Sequence, residues 1–161
     1  MKSVAGIHLL GFCLAVFVLS SCNKPSYRFT NTDKDAKIKT LGTVEVTARL
    51  VEIPDGAIFQ RDLYDYAAIL KYEVVAVHRG TLEKGTTIYV GHYDPWKPRS
   101  KAADQRVKLM GGTLREFRSG SLHHMALETS MDDHYLGGIV DKYFGKHTGP
   151  TYWAVWTNAA D

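Results

Sequence analysis

Short runs in which apolar and polar residues alternate are the feature that most constrains the fold of this chain. The first run, VEVTARL at residues 44–50, has an apolar side chain at every second position, which is the period of a half-buried β-strand. Similar strand-like runs follow at 67–78, 86–93, 122–128 and 151–157. The pattern predicts a mainly β protein, a small antiparallel barrel or sandwich.

Two details of these runs bear on how the strands pack. Val75 and Val77 break the alternation of the second run, so we expect a β-bulge there or a strand end that is covered on both faces. In the last run, a regular alternation predicts that Trp153 faces away from Tyr152 and Trp156.

Helical patterns are scarce, and we expect one or two short helices. The segment Ser100–Asp104 follows two prolines and can form a turn or two with Ser100 as its N-cap. Residues 132–144 have apolar side chains at four-residue spacing, although Gly137 and Gly138 weaken that helix by about 2 kcal/mol relative to alanine.

The N-terminal region is typical of an exported protein. Lys2 precedes an apolar stretch, residues 4–19, that is too short for a comfortable membrane span and ends in Leu-Ser-Ser-Cys. This ending resembles the lipobox of bacterial lipoprotein signals. The resemblance implies that residues 1–21 are a signal peptide and that Cys22 carries the lipid that tethers the mature protein to a membrane. An ordinary signal peptide that leaves Cys22 as a free thiol is the alternative.

The remaining 140 residues match the commonest size of a single domain. Residues 22–41 are mostly polar, which predicts a flexible tether, and residues 42–161 are expected to form one β-barrel-like domain. The two cysteines of the chain are Cys13, inside the signal, and Cys22, so we expect a core without disulfides.

The charge pattern helps to exclude one class of partner. Basic and acidic residues are nearly balanced, with a formal net charge of +3, and they are interspersed along the chain. The sequence has no basic stripe interleaved with aromatic residues, so we expect no nucleic acid as a partner.

The stretch Tyr72–Tyr93 (YEVVAVHRGTLEKGTTIYVGHY) resembles the oligonucleotide/oligosaccharide-binding (OB) barrel, in particular its netrin-like and tissue-inhibitor-like branch. This resemblance implies an OB-like barrel. The cysteines of the secreted animal members are missing here, which argues against an inhibitor function. The later stretches GHYDPWKPRSKAAD and HHMALE are similar to uncharacterised exported bacterial proteins associated with polysaccharide acetylation.

The candidate site lies where the third strand-like run ends in a proline-bounded loop. His92, Tyr93, Asp94 and Trp96 fall within five residues there, and binding groups are usually carried on such loops. Together with His124 they are predicted to form a ligand-facing rim, with Trp96 stacking on a sugar face. Because His123 and His124 are adjacent on a strand, they point to opposite faces and only one can join this cluster. We expect no metal and no cofactor; a metal or acid/base site around His92, Asp94 and His124 is the alternative.

These observations predict a lipid-anchored module that binds polysaccharide or a protein partner in the bacterial cell envelope. Asn23, which is not an aspartate, follows the lipidated cysteine, and by resemblance this favours the outer membrane, with the domain facing the periplasm. The alternative is an enzyme, or an enzyme subunit, that acts on envelope polysaccharide.

Overall fold

The computed structural model describes residues 41–53, 65–135, 140–141, 144 and 147–160. The strands are β1 (Val44–Glu52), β2 (Ala67–Arg79), β3 (Thr87–Tyr93), β4 (Leu122–Glu128), β5 (Val140–Asp141) and β6 (Thr151–Ala160). The helices are α1 (Arg99–Ala102) and α2 (Met131–His134), each a single turn. The predicted mainly β fold with one or two short helices is confirmed.

Five of the strands close into a barrel. They pair in the order β1–β2–β3–β6–β4, and β4 pairs again with β1. The β2–β3 ladder is the antiparallel hairpin that the sequence predicts. One barrel pairing is parallel, that of β3 with β6, and the two-residue β5 pairs in parallel with the start of β2. The chain between β3 and β6, residues 94–150, is long enough to allow their parallel pairing, because parallel neighbours cannot be joined by a tight turn.

Bulges give the barrel its curvature. The β1–β2 register pairs Thr47 with Ala76 but Ala48 with Val74, so Val75 is the extra residue of a bulge, as its break in the alternation predicts. A second bulge in β6 leaves Val155 unpaired, because Ala126 is opposite Trp156 and Leu127 is opposite Ala154.

Apolar side chains form two clusters, one inside the barrel and one on its outer wall. The interior includes five apolar side chains from alternate positions of β2 and β3. They are Leu70, Tyr72, Val74, Ile88 and Val90. The outer cluster packs Trp153, Val155 and Trp156 of β6 under the segment 102–110 and α2. The prediction that Trp156 faces away from Trp153 was wrong, because the β6 bulge turns both side chains to the outer wall.

The helices differ in detail from their sequence patterns. Helix α1 begins at Arg99, with Pro98 at the N-cap position, and no side chain caps it. Ser100, the predicted N-cap, therefore lies within the helix. Helix α2 is formed where the 132–144 pattern begins, while most of that pattern lies outside the described residues.

The N-terminal predictions are not addressed by the structure. The signal at 1–21, the lipidation site Cys22 and all of the tether but Leu41 lie outside the described residues. Among the helices in the described part of the chain, none has the length and apolar character needed to cross a membrane.

Candidate functional site

The loop that follows β3 is folded into the protein. His92 and Tyr93 end the strand and Asp94 begins the loop, and all three are inaccessible to solvent. Asp94 has a positive φ of 43°, which turns the chain inward after the strand. The three side chains that the sequence predicts to face a ligand are therefore buried in the structure described here.

His92 lies inside the barrel in a hydrogen-bonded group with a tyrosine and a second histidine. The Tyr72 hydroxyl is 3.1 Å from His92 Nε2 and 3.1 Å from His123 Nδ1. The Phe117 ring closes the group, at 4.6 Å from the His92 ring and 5.4 Å from the His123 ring. The histidine that joins His92 in this group is therefore His123, whereas the sequence prediction placed His124 beside the loop.

The geometry of this group suits two neutral imidazoles. The Tyr72 hydroxyl can donate to one histidine while it accepts from the other, and the tautomers of the two rings set which is which. The remaining nitrogens, His92 Nδ1 and His123 Nε2, are buried without a hydrogen-bond partner. Burial lowers the pKa of His92 well below its usual value, with further contributions from Arg99 and His123. Burial likewise lowers the pKa of His123 to about 4.

A buried arginine holds the loop in place, and the sequence pattern did not reveal it. Arg99 is almost fully buried and donates from Nη1 to the Tyr93 carbonyl at 2.6 Å. Its Nη2 donates to the carbonyls of Asp94 and, at 2.8 Å, Lys97. Burial lowers the pKa of Arg99 to about 10, which still leaves it protonated at neutral pH. Because its partners are backbone carbonyls, no pattern of side chains could indicate the role of this arginine.

Asp94 belongs to a small cluster of three carboxylates, two of which pair with a lysine. One carboxylate oxygen from each of Asp65, Asp94 and Asp104 lies within 4.8 Å of the other two. Lys97 Nζ is 2.8 Å from Asp65 Oδ1 and 2.5 Å from Asp94 Oδ2. Burial raises the pKa of Asp94 to about 6, although its hydrogen bond with Lys97 opposes the rise. The ammonium group thus pairs with two of the three carboxylates.

Trp96 and His124 do not belong to the hydrogen-bonded group of Tyr72, His92 and His123. The Trp96 ring is half-buried and packs against Tyr66 with the ring centroids 4.6 Å apart. His124 lies on the outside of the barrel, where its Nε2 is 2.8 Å from Glu45 Oε1 and its ring contacts those of His78 and Trp156. The five predicted site residues are therefore not brought together.

An open cleft lies on the outer wall of the barrel. It has a volume of about 550 Å³ and lies between the segment 105–109, the end of β4, α2 and β6. Apolar side chains from Leu41, Val107, Leu109, Trp153 and Val155 line it. The polar lining residues are Gln105, Arg106, Lys108, Glu128 and His134. Such a volume, with an apolar floor and a few polar groups, is typical of small-ligand sites.

The sequence did not reveal this cleft. Leu109, with Arg106 and Lys108 before it, is 51% exposed, but single exposed apolar residues are common on protein surfaces and do not indicate a site. The alternation places Trp153 and Val155 on one face of β6, but it does not show that this face lies on the outer wall. Comparison with known proteins found no family model, no curated protein and no solved structure that matches the chain.

Proposed function

We propose that this protein is a lipid-anchored binding module of the bacterial cell envelope and that the outer-wall cleft is its ligand site. The observation that carries the proposal is the cleft itself, a cavity of about 550 Å³ with an apolar floor and a polar rim. Its ligand is a segment of envelope polysaccharide or of a partner protein. Nucleic acid is not a partner in this proposal, because the charges of the chain are nearly balanced.

A rigid floor supports a binding role for the cleft. Trp153, which lines the floor, is stacked on Tyr135 with the ring centroids 5.3 Å apart and the planes 11° apart. Val155 and Val107 are buried beside it in the outer cluster. A preformed floor reduces the entropy that a ligand loses on binding, which is the usual advantage of a preorganised site.

Burial of the acid/base groups argues against the enzyme alternative. A catalytic imidazole or carboxylate must come within hydrogen-bond distance of the substrate, whereas His92 and Asp94 are inaccessible to solvent. His124 is accessible, but it lies on the opposite side of β4 from His123 and is hydrogen-bonded to Glu45. A substrate could therefore not meet these three groups together without a change in the fold.

The anchor part of the proposal rests on the N-terminal sequence. The apolar stretch that ends in Leu-Ser-Ser-Cys supports lipidation of Cys22. Two acyl chains provide effectively stable attachment, whereas a single chain binds only marginally. Asn23 supports a location at the outer membrane with the domain in the periplasm.

The binding proposal is tested by two substitutions of exposed apolar residues. Leu109 is 51% exposed in the cleft, and Val51 is 42% exposed on β1, so neither substitution to serine should cost much stability. Binding of purified envelope polysaccharide or of solubilised envelope proteins is measured for both variants and the wild type. We expect Leu109→Ser to weaken binding about tenfold, or 1.4 kcal/mol, and Val51→Ser to have little effect.

Two results would contradict this proposal. Equal binding by the two serine variants would remove the cleft as the ligand site. Turnover of envelope polysaccharide by the purified protein, lost in a folded His92→Asn variant, would favour the enzyme alternative.

A further inference from the structure

We propose that the cleft selects an anionic oligosaccharide over a neutral one. This inference rests on the proposed binding function and adds the chemical class of the ligand. Its basis is the distribution of charge around the cleft, together with the apolar floor described above.

Two cationic side chains and one histidine belong to the polar rim. Arg106 and Lys108, both exposed on the segment 105–109, line the cleft, and His134 of α2 lines it from another element. The Arg106 guanidinium is close enough to the Tyr135 hydroxyl to act against the rise in its pKa that burial causes. This places the charge of Arg106 beside the stacked pair of Tyr135 and Trp153.

The carboxylates near the cleft are engaged by other groups. Glu128 lines the cleft, but its Oε1 accepts the Gly42 N–H at 3.0 Å and its Oε2 accepts the Thr43 hydroxyl at 2.9 Å. Asp104 is similarly engaged, since its Oδ1 accepts the N–H groups of Arg106 and Val107 and its Oδ2 accepts the Tyr93 hydroxyl.

Two further acidic groups, on helix α2, lie outside the cleft. Asp132 and Asp133 are exposed there, and Asp133 is held by Ser130 at the start of the helix. Neither aspartate lines the cleft. Among the lining residues, Arg106 and Lys108 are permanent cations, and Glu128 is the one carboxylate, with its oxygens already hydrogen-bonded. The rim therefore has an excess of positive charge, which an anionic ligand complements.

The combination of an apolar floor and a cationic rim fits an acidic sugar. A pyranose ring presents apolar C–H groups on its faces, which can lie against Leu109 and the floor. An acidic substituent at its edge then reaches Arg106 or Lys108, and arginine binds a carboxylate through two parallel hydrogen bonds. The volume of about 550 Å³ suits a few sugar rings of a longer chain.

The test compares two oligosaccharides with the same sugar backbone, one with charged carboxylates and one with neutral methyl esters. A galacturonic acid hexamer and its fully methyl-esterified form are titrated calorimetrically into the protein, purified in detergent with its N-terminal region intact. We expect the acid form to bind at least about tenfold more tightly than the ester. We also expect its affinity to fall with added salt, since exposed charges are screened.

Two double variants, each of which removes two positive charges, show whether the preference for the acid form arises at the cleft. Arg106→Ala with Lys108→Ala should remove the preference for the acid form. Lys84→Ala with Arg118→Ala, two exposed cations that do not line the cleft, should retain it. Loss of the preference in both double variants would show a general charge effect and overturn the inference.

The remaining outcomes separate this inference from the proposed function. Equal affinity for the acid and ester forms would overturn the anionic selectivity and leave a binding module intact. Tighter binding of a hexaglutamate peptide than of the acidic hexamer would overturn the saccharide class. Failure to bind either hexamer, together with failure to bind envelope polysaccharide or envelope proteins, would overturn both proposals.

Discussion

At the scale of single residues, the buried histidines make the stability of the fold depend on pH. An unfolded histidine takes up a proton near pH 6.5, whereas the pKa of His123 is about 4 and that of His92 is also lowered. The unfolded state therefore binds more protons between these values, and stability falls as the pH drops through this window. Asp94, with its pKa raised to about 6, binds its proton earlier when folded and offsets part of the loss.

The first prediction concerns this pH dependence. Chemical denaturation should show lower stability at about pH 5 than at about pH 7, with about 2 kcal/mol of the difference due to His123. His123→Asn keeps a polar group near the Tyr72 hydroxyl and removes the titrating ring, so its loss on acidification should be smaller. The control is His78→Asn at an exposed histidine, which should lose stability as the wild type does. An unchanged pH dependence in His123→Asn would contradict the account.

The candidate site shows what a sequence can and cannot reveal at this scale. The sequence showed that adjacent His123 and His124 must face opposite ways, but it could not show which of them faces inward. The choice depends on the register of β4 against β1, where Ala48 is opposite His123 and Thr47 is opposite His124. Arg99 was missed for a different reason, since its partners are carbonyl oxygens that every residue carries.

At the scale of secondary-structure elements, the segment 111–114 closes one side of the barrel against β6. The Gly111 N–H donates to the Val155 carbonyl, and the Thr157 N–H donates to the Gly111 carbonyl, each at 3.0 Å. Gly112 has a φ of 116°, and a Cβ atom built there would lie 2.1 Å from the Thr157 carbonyl oxygen. Only glycine allows this close approach of two backbones.

The second prediction follows from that approach. Gly112→Ala should destabilise the fold by more than about 2 kcal/mol, because both the positive φ and the backbone contact oppose a side chain. Gly120→Ala is the control, since Gly120 also has a positive φ but no atom lies within 4 Å of its added Cβ. Its cost should be about 1 kcal/mol. Equal thermal midpoints for the two variants would show that the contact with Thr157 is unimportant.

The strands themselves were largely predictable, and the exceptions are the bulges. Alternation located β1, β2, β3, β4 and β6 within a few residues, because each has one face in the barrel interior. The bulge at Val75 left a visible break in the pattern, whereas the bulge at Val155 did not, because apolar residues fill both faces of β6 there. The parallel pairing of β3 with β6 arises from chain connectivity, which alternation does not report.

At the scale of the whole molecule, the proposed anchor determines where the domain works. The third prediction is that Cys22→Ser leaves the precursor unprocessed and without lipid, since the signal resembles those in which this cysteine carries the lipid and becomes the new N-terminus. Mass spectrometry of the purified protein measures both the cleavage of the signal and the attachment of the lipid. Normal maturation of the variant would instead indicate an ordinary signal peptide.

The claim at the centre of this account is that the ligand binds on the outer wall of the barrel and not at the loop after β3. Hydrogen–deuterium exchange of the purified protein, with and without envelope polysaccharide, tests this directly. We expect slower exchange in the segment 105–109, which lines the cleft, and unchanged exchange at 92–96. Protection of 92–96 with no change at 105–109 would contradict the account and return the site to the β3 loop.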